Sequence, residues 1–393
     1  MSLKGRHGRQ IRTVFGTVHV QSPRVRYCRC LGKAIGASFS PLIQLVPTCV
    51  TSELEYLQAK WAAHLPYATA TRLLCEILPV TDAISVTSTK RRVRAVAAAL
   101  DQSFGQPAKR TIEQPMPNSL PPLTALAVDS GWLKHCNPPR RQGRHVNLVV
   151  GRACFAGGDK RLYAYVHNQV PSASARLDQF LSASCVRQDK RVTIVTDGAG
   201  EFEKVVNGAS QPLCRIMDWF HIAMKFRAID QSALKHPDLL APNGRTLRQE
   251  VSSCKWLVWH GKARKAVARL IRIHDAFGPV PEERFWNLVW NLQRAFWYLR
   301  SNERYLVNYA RRHHKGLPIS SAIAESAVNE VISLRMAKKR QIRWTDEGAH
   351  LLAQVRVHEL NGELRPRVVT FPLRAKKPAS DPALDRCQML KAA

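Results

Sequence analysis

The chain is poor in acidic residues. Against 60 Lys and Arg it has only 29 Asp and Glu, so its 393 residues have a formal net charge of +31. The sequence pI is near 10.4, and the first fifty residues include eight Lys or Arg and no acid. This excess is far larger than solubility requires, and it predicts a polyanionic partner.

Long hydrophobic segments are also missing. No apolar run approaches the roughly 18 residues of a membrane span, and no apolar region follows Lys4, Arg6 and Arg9 as it would in a signal peptide. These absences argue against the secreted and membrane classes. They predict a cytoplasmic, nucleoid-associated protein with no membrane partner.

The cysteines show no disulfide framework. The ten residues are scattered, and most lie within apolar stretches, which predicts buried thiols in a reducing compartment. Cys28 and Cys30 form half of a tetrahedral thiolate site. No partner pair follows at finger spacing, so zinc is not expected in this chain.

The length allows two or three domains, and the composition changes at several points. A period-2 pattern from Thr13 to Val20 predicts a hairpin or small sheet. The predicted segments are a basic arm at residues 1–50, a helical region at 51–105, a Pro-rich linker at 106–122, an α/β domain at 123–345 with a helical stretch at about 222–317, and a C-terminal region and tail at 346–393.

The α/β domain begins with three apolar strands, Leu123 to Val128, Val146 to Val150 and Leu162 to Val166, whose short connections indicate an antiparallel meander. A helix and two further strands follow, Val192 to Thr196 and Leu213 to Met217, and their alternation with helices predicts parallel pairing. This is the ribonuclease-H-like order, in which the first and fourth strands are neighbours.

Asp129 and Asp197 each follow one of these strands, so the predicted order places them side by side. Two carboxylates at that spacing repel each other unless a cation lies between them. Oxygen ligands without thiolates favour Mg²⁺ or Mn²⁺. The alternative is structural, because an aspartate after a strand is often only a turn or helix-cap residue.

A third carboxylate is expected from the helix that begins at Ser320 or Ser321 and runs through Arg335. Glu325 lies in its first turns. Glu330 is five residues further, about 140° around a regular helix, so both cannot face one site. We therefore select Glu325 as the third ligand.

Residues 68–100 have the outline of a helix-turn-helix, and the second helix places Lys90, Arg91 and Arg94 beside its apolar stripe. These side chains are candidates for DNA contacts, and a solvated basic face is the alternative. A second basic run contains Lys338, Lys339 and Arg340. It is a candidate clamp on the phosphate backbone, although such runs are usually solvated.

Five of the nine tryptophans fall in the helical stretch. We predict that they are core aromatics of a helical subdomain, with base stacking as the alternative. The five residues are Trp256, Trp259, Trp286, Trp290 and Trp297.

Taken together, the sequence resembles the ISKra-type transposases of bacterial insertion sequences, which are related to Mutator-like transposases of the DDE group. The resemblance extends over nearly the whole chain. Its most specific segments are Arg12–Val18, Leu57–Ala63, Val128-Asp-Ser-Gly131, Val195-Thr-Asp-Gly-Ala199, Met217-Asp-Trp-Phe-His221, Glu325-Ser-Ala-Val-Asn-Glu330, Arg335–Lys339 and Gln341–Trp344.

The resemblance implies a ribonuclease-H-like catalytic domain with an all-helical insertion, preceded by a DNA-binding region. Asp129, Asp197 and Glu325 would be the DDE triad for two Mg²⁺ or Mn²⁺ ions in phosphoryl transfer. Asp218 and His221 match the D/C-x-x-H motif, an accessory element whose role stays open.

The implied partners are double-stranded DNA, both element ends and target, and further copies of the chain assembled on it. Similar proteins begin with a zinc-ribbon-like module of two cysteine pairs. This chain begins near the second pair, which predicts a truncated ribbon. The alternative functions are a domesticated or inactive DNA-binding protein and a ribonuclease-H-like nuclease without strand transfer.

Overall fold

The computed structural model describes residues 2–26, 38–104, 122–136, 145–198, 200–320, 322–336 and 342–369. These residues form two compact units. The first contains the chain up to Gln102 and the described residues from His358 onward, and the second contains most of the chain between them. The Pro-rich linker, except for Pro122, and Cys28 and Cys30 lie outside the described residues.

The first unit begins with an antiparallel sheet of strands β1 (Ser2–Thr13), β2 (Gly16–Arg26) and β3 (Ser38–Phe39). The predicted hairpin is confirmed. Its turn is fixed by the Thr13 hydroxyl, which donates to the Gly16 carbonyl over 2.9 Å and accepts from the Phe15 amide over 3.0 Å.

The helices of this unit are α1 (Pro41–Leu45), α2 (Ser52–His64), α3 (Tyr67–Ile77), α4 (Val86–Gln102) and α15 (Leu364–Val368). The sequence predicted α2, α3 and α4. A buried polar network joins them, because the Gln58 amide donates to Thr89 over 2.8 Å and Arg92 donates to Gln58 over 3.1 Å. These hydrogen bonds partly compensate for the removal of the polar groups from water.

The second unit contains a five-stranded sheet in the order β6-β5-β4-β7-β8. β5 is antiparallel to β4 and β6, whereas β7 is parallel to β4 and β8. The predicted order is confirmed, since the first and fourth strands of the sheet are parallel neighbours. The strands are β4 (Leu123–Lys134), β5 (His145–Phe155), β6 (Lys160–Val166), β7 (Val192–Thr196) and β8 (Leu213–Met217).

One face of this sheet is covered by α5 (Ala173–Ala183) and α6 (Gly200–Gly208). Tyr163 of β6 fills this core and stacks on Phe180 with ring centroids 4.5 Å apart. Its ring lies where a β-carbon on Gly151 would be, so only glycine fits at that position of β5.

Helices follow β8 up to His314: α7 (Trp219–Ala233), α8 (Leu247–Trp259), α9 (Ala263–Asp275), α10 (Trp286–Ser301) and α11 (Tyr309–His314), with 3-10 turns at Glu283–Phe285 and Glu303–Tyr305. They share one apolar core. Then come α12 (Ala322–Val328), a π-helical turn (Asn329–Ser333), α13 (Leu334–Met336) and α14 (Asp346–Leu360).

The prediction that the tryptophans are core residues was wrong for four of the five. The tryptophans of α10 lie on another face than its buried stripe, which consists of Leu288, Leu292, Ala295, Phe296 and Leu299. The exposed side chains are Trp256, Trp286, Trp290 and Trp297, between 50% and 59% exposed.

Within the described residues, no helix is long and apolar enough to cross a membrane. The seven cysteines in those segments are free thiols. Contrary to expectation, only Cys254 among these seven is buried, and Cys185 is exposed. The others are half-buried.

Candidate active site

Two carboxylates follow the last paired residues of neighbouring parallel strands. Val128 of β4 and Thr196 of β7 are partners in register, so Asp129 and Asp197 come next on each strand. β7 ends there as predicted. The expectation that β4 also ends was wrong, because β4 stays paired with β5 as far as Lys134. Asp129 therefore lies where β4 loses one of its two neighbours.

The pKa of the half-buried Asp129 carboxyl is shifted by its burial and by other groups of the predicted site. Burial raises its pKa, and the Asp197 and Glu325 carboxylates raise it further. A 2.7 Å hydrogen bond from the Ser130 amide and the nearby His221 oppose these effects. The structure thus places the Asp197 and Glu325 carboxylates within electrostatic range of Asp129.

Glu325 lies near Asp129 because α12, to which it belongs, packs directly against β4. A β-carbon on Gly131 would overlap the Ile332 side chain and would touch Val328 at 3.5 Å. The absence of a side chain at Gly131 lets the helix approach β4 just beyond Asp129.

Glu330, the rejected alternative, has a structural partner. Its carboxylate accepts from the buried Arg152 of β5, which also donates to the Ser326 hydroxyl over 3.4 Å. Arg356 of α14 donates to the Glu330 carbonyl and, over 2.6 Å, to the Val331 carbonyl. Two arginines therefore hold the π-helical turn that follows α12.

Asp218 and His221 are joined at the start of α7. Asp218 is fully buried and is the N-cap, since its side chain accepts from the Phe220 amide over 2.8 Å. Its own amide donates to the Thr196 carbonyl over 3.0 Å. Nδ1 of His221 lies 3.4 Å from Oδ2 of Asp218. Asp218 thus connects the histidine to the strand end that bears Asp197.

Arg215 is a site residue that sequence analysis missed. It lies buried in the middle of β8 and donates to the Thr196 hydroxyl over 2.8 Å and to the Asp197 carbonyl over 3.0 Å. Its guanidinium stacks on Tyr305 at 4.5 Å. An arginine within an otherwise apolar parallel strand was the signal, because burying such a charge requires specific partners.

A cleft of about 550 Å³ opens beside Asp197. The Tyr298 hydroxyl in its wall is buried and makes no hydrogen bond to the described residues. Burial, and then Asp197 and Asp218, raise the pKa of this phenol, so it keeps its proton. The lining residues are Asp197, Gly198, His221, Met224, Lys225, Ala228, Asn291, Arg294 and Tyr298.

The donor set suits a hard divalent cation. Asp129, Asp197 and Glu325 offer only oxygen atoms, the ligands that Mg²⁺ and Mn²⁺ prefer. Burial is the main cause of the raised pKa of Asp129, and repulsion from Asp197 and Glu325 adds to it; positive charge between the carboxylates would relieve this repulsion. Across the segments that the structure describes, no three His, Cys, Asp or Glu side chains are close enough to form a ready-made metal site.

The structure describes one of the two predicted DNA-binding clusters. Lys90, Arg91 and Arg94 are exposed on α4, where they leave the buried stripe of Val93, Val96 and Leu100 to the core. The second basic run, Lys338, Lys339 and Arg340, lies outside the described residues.

No protein-family profile and no curated protein matches the chain. Among solved structures, the Drosophila P element transposase strand transfer complex is similar with a TM-score of 0.36 and 13% identity, over 80% of this chain and 93% of that chain. We draw no assignment from a likeness at this level.

The contrast between the two glutamates leads to a stability prediction. Glu330→Gln should lower the free energy of unfolding by about 1–2 kcal/mol, since it leaves the buried Arg152 without its charged acceptor. Glu325→Gln should stay within about 0.5 kcal/mol, because it removes a mutually repelling charge.

Urea denaturation in EDTA, followed by tryptophan fluorescence, measures both changes. The second unit contains eight of the nine tryptophans, so the signal reports that unit. Equal losses of stability in the two variants would contradict the separation of roles.

Proposed function

We propose that the protein is a DDE-type DNA transposase of the ISKra group, which binds the ends of an insertion sequence, cuts DNA and transfers the strand to a target. The supporting observation is that Asp129 and Asp197 follow partner residues of the parallel strands β4 and β7, and that both Asp197 and Glu325 act on the Asp129 carboxyl electrostatically. A chain with a net charge of +31 is suited to a DNA substrate.

The three carboxylates are the ligands in this proposal. Two bound Mg²⁺ or Mn²⁺ ions would supply Lewis acidity for in-line phosphoryl transfer. Arg215 holds the Asp197 backbone, and the helix beyond Glu325 is fixed by Arg152 and Arg356. The His221 ring, whose Nδ1 lies 3.4 Å from Asp218, lines the same cleft. The chain's own residues thus orient the ligands before DNA binds, and paired ends would bring two copies together.

The triad provides the first test. Asp129→Asn, Asp197→Asn and Glu325→Gln should each slow cleavage by at least about 100-fold. They should leave DNA affinity nearly unchanged, because phosphate contacts elsewhere supply most of it. Duplexes made from the DNA that flanks the gene are the substrates, and affinity is measured on the same duplexes.

Asp159→Asn is the matched control, since Asp159 is exposed in the turn between β5 and β6. It should cleave normally. Near-normal cleavage by any of the three triad variants would remove that residue from the proposed site.

The metal requirement is a separate prediction. Cleavage should need Mg²⁺ or Mn²⁺ and stop on addition of EDTA, because oxygen ligands alone do not activate the nucleophile. DNA binding in EDTA should persist. Cleavage by metal-free protein in the presence of the chelator would contradict the two-metal proposal.

DNA recognition separates the two basic clusters. Neutral substitutions at Lys90, Arg91 and Arg94 should reduce discrimination between flank and scrambled duplexes, by roughly 1–3 kcal/mol for each base that is no longer bound. Substitutions in the second cluster, Lys338, Lys339 and Arg340, should weaken binding to both duplexes equally and flatten the salt dependence.

Binding isotherms at several salt concentrations distinguish these outcomes. Equal reductions in affinity for both duplexes in the α4 variants would mean that this helix is only a basic surface.

A further inference from the structure

The cleft beside Asp197 has one anionic wall and two cationic ones. His221 and Lys225 lie one turn apart on α7, and Arg294 and Tyr298 lie one turn apart on α10. The backbone at Asp197 closes the cleft on the side of the sheet. The helical region therefore adds positive charge directly beside a predicted metal ligand.

Lys225 and Arg294 differ from several arginines of the same helical region, which pair with acidic side chains. Neither forms an ion pair with an acidic side chain among the described residues. Arg304, in the 3-10 turn after α10, is paired with Glu203, and Arg264 of α9 is paired with Glu303. Partial burial and the neighbouring Arg294 both lower the pKa of Lys225. Two adjacent cations without a counter-charge are unfavourable, and a bound anion relieves this repulsion.

The position of Lys225 relative to the carboxylates is fixed by one aromatic ring. Its ammonium group lies 5.1 Å from the centre of the Tyr298 ring, a favourable cation–π distance. The Tyr298 ring also lies against Gly198, where a β-carbon would come within 2.6 Å of it. The cation is thus held at a set distance from the backbone that follows Asp197.

The ligand must be an anion that also extends to the carboxylates. A cleft of about 550 Å³ spans roughly 8 Å, and successive phosphates on one strand advance by about 3.4 Å along the duplex. We propose that Lys225 and Arg294 bind one non-scissile phosphate of the strand being cut, one or two nucleotides from the scissile bond. This inference rests on the proposed function, because it takes the carboxylates as the place where the strand is cut.

The experiment neutralises each side of the contact in turn. Lys225→Met and Arg294→Met each remove one cation, and Lys225→Arg keeps the positive charge at position 225. Arg300→Met is the control, since Arg300 stacks on Trp297 on the exposed side of the same helix. The substrates are duplexes of the DNA flanking the gene, in which one phosphate at a time is replaced by an uncharged methylphosphonate.

With unmodified DNA, each Met variant should cleave about tenfold more slowly and lose about one unit of salt slope in binding. Lys225→Arg should cleave faster than Lys225→Met because it keeps the charge, Arg300→Met should behave like the wild type, and melting curves should coincide. In the scan, one methylphosphonate close to the cut should slow the wild type strongly and slow each Met variant less, because each variant has already lost one of the two cations that bind that phosphate.

If the effects of the Met substitution and of the methylphosphonate on the cleavage rate are additive at every phosphate, the proposal is wrong. It is also wrong if Arg300→Met slows cleavage as much as Lys225→Met and Arg294→Met do. If the wild type cleaves no duplex in Mg²⁺ or Mn²⁺, the proposed function fails. The affinity of each protein for each methylphosphonate duplex is then measured in Ca²⁺ instead. One phosphate whose replacement weakens binding by the wild type more than binding by the Met variants would still support the subsite. Equal sensitivity of all proteins at every phosphate would refute it.

Discussion

The parallel pairing of β4 with β7 ends at Val128 and Thr196, and the arrangement of the candidate site depends on that ending. Beyond it one strand stops and the other continues against β5 alone. Two carboxylates then emerge at the same depth. Repulsion between them disfavours the folded state unless the surroundings fix them and a cation compensates. The buried contacts around them serve this purpose.

Those contacts use arginines as structural residues. Arg152, Arg215 and Arg356 are buried and donate to a carboxylate or to backbone carbonyls around the site. Arg176 does the same for the Val170 carbonyl. A part of the large positive charge therefore stabilises the fold and does not face a polyanion. Net charge is a property of composition, so it does not distinguish these two uses.

The sequence predicted much of the sheet, because its strands are apolar runs bounded by turn residues. It also pointed to Asp129, Asp197 and Glu325 through their positions after strands or at a helix start. The length of β4 was missed, since the residues after Asp129 are held by pairing with β5 and not by burial. The three tryptophans of α10 were misjudged because leucines, an alanine and a phenylalanine already fill the core face of that helix.

Residues of the cleft were harder to predict. Lys225 and Arg294 are nearly seventy positions apart in the chain and meet only when α7 packs against α10. No periodicity within one helix indicates such a meeting. Sequence patterns report local structure and burial, whereas this part of the site arises from tertiary packing between helices.

The π-helical turn at Asn329–Ser333 has a consequence for length variation in this part of the chain. Its wide turn accommodates an extra residue, and arginine donors satisfy its carbonyls. Removing one residue there would restore a regular helix and rotate the segment before the turn by about 100° relative to the segment after it. Glu325 would then point away from the aspartates. Homologues should tolerate substitutions in this segment far better than single-residue insertions or deletions.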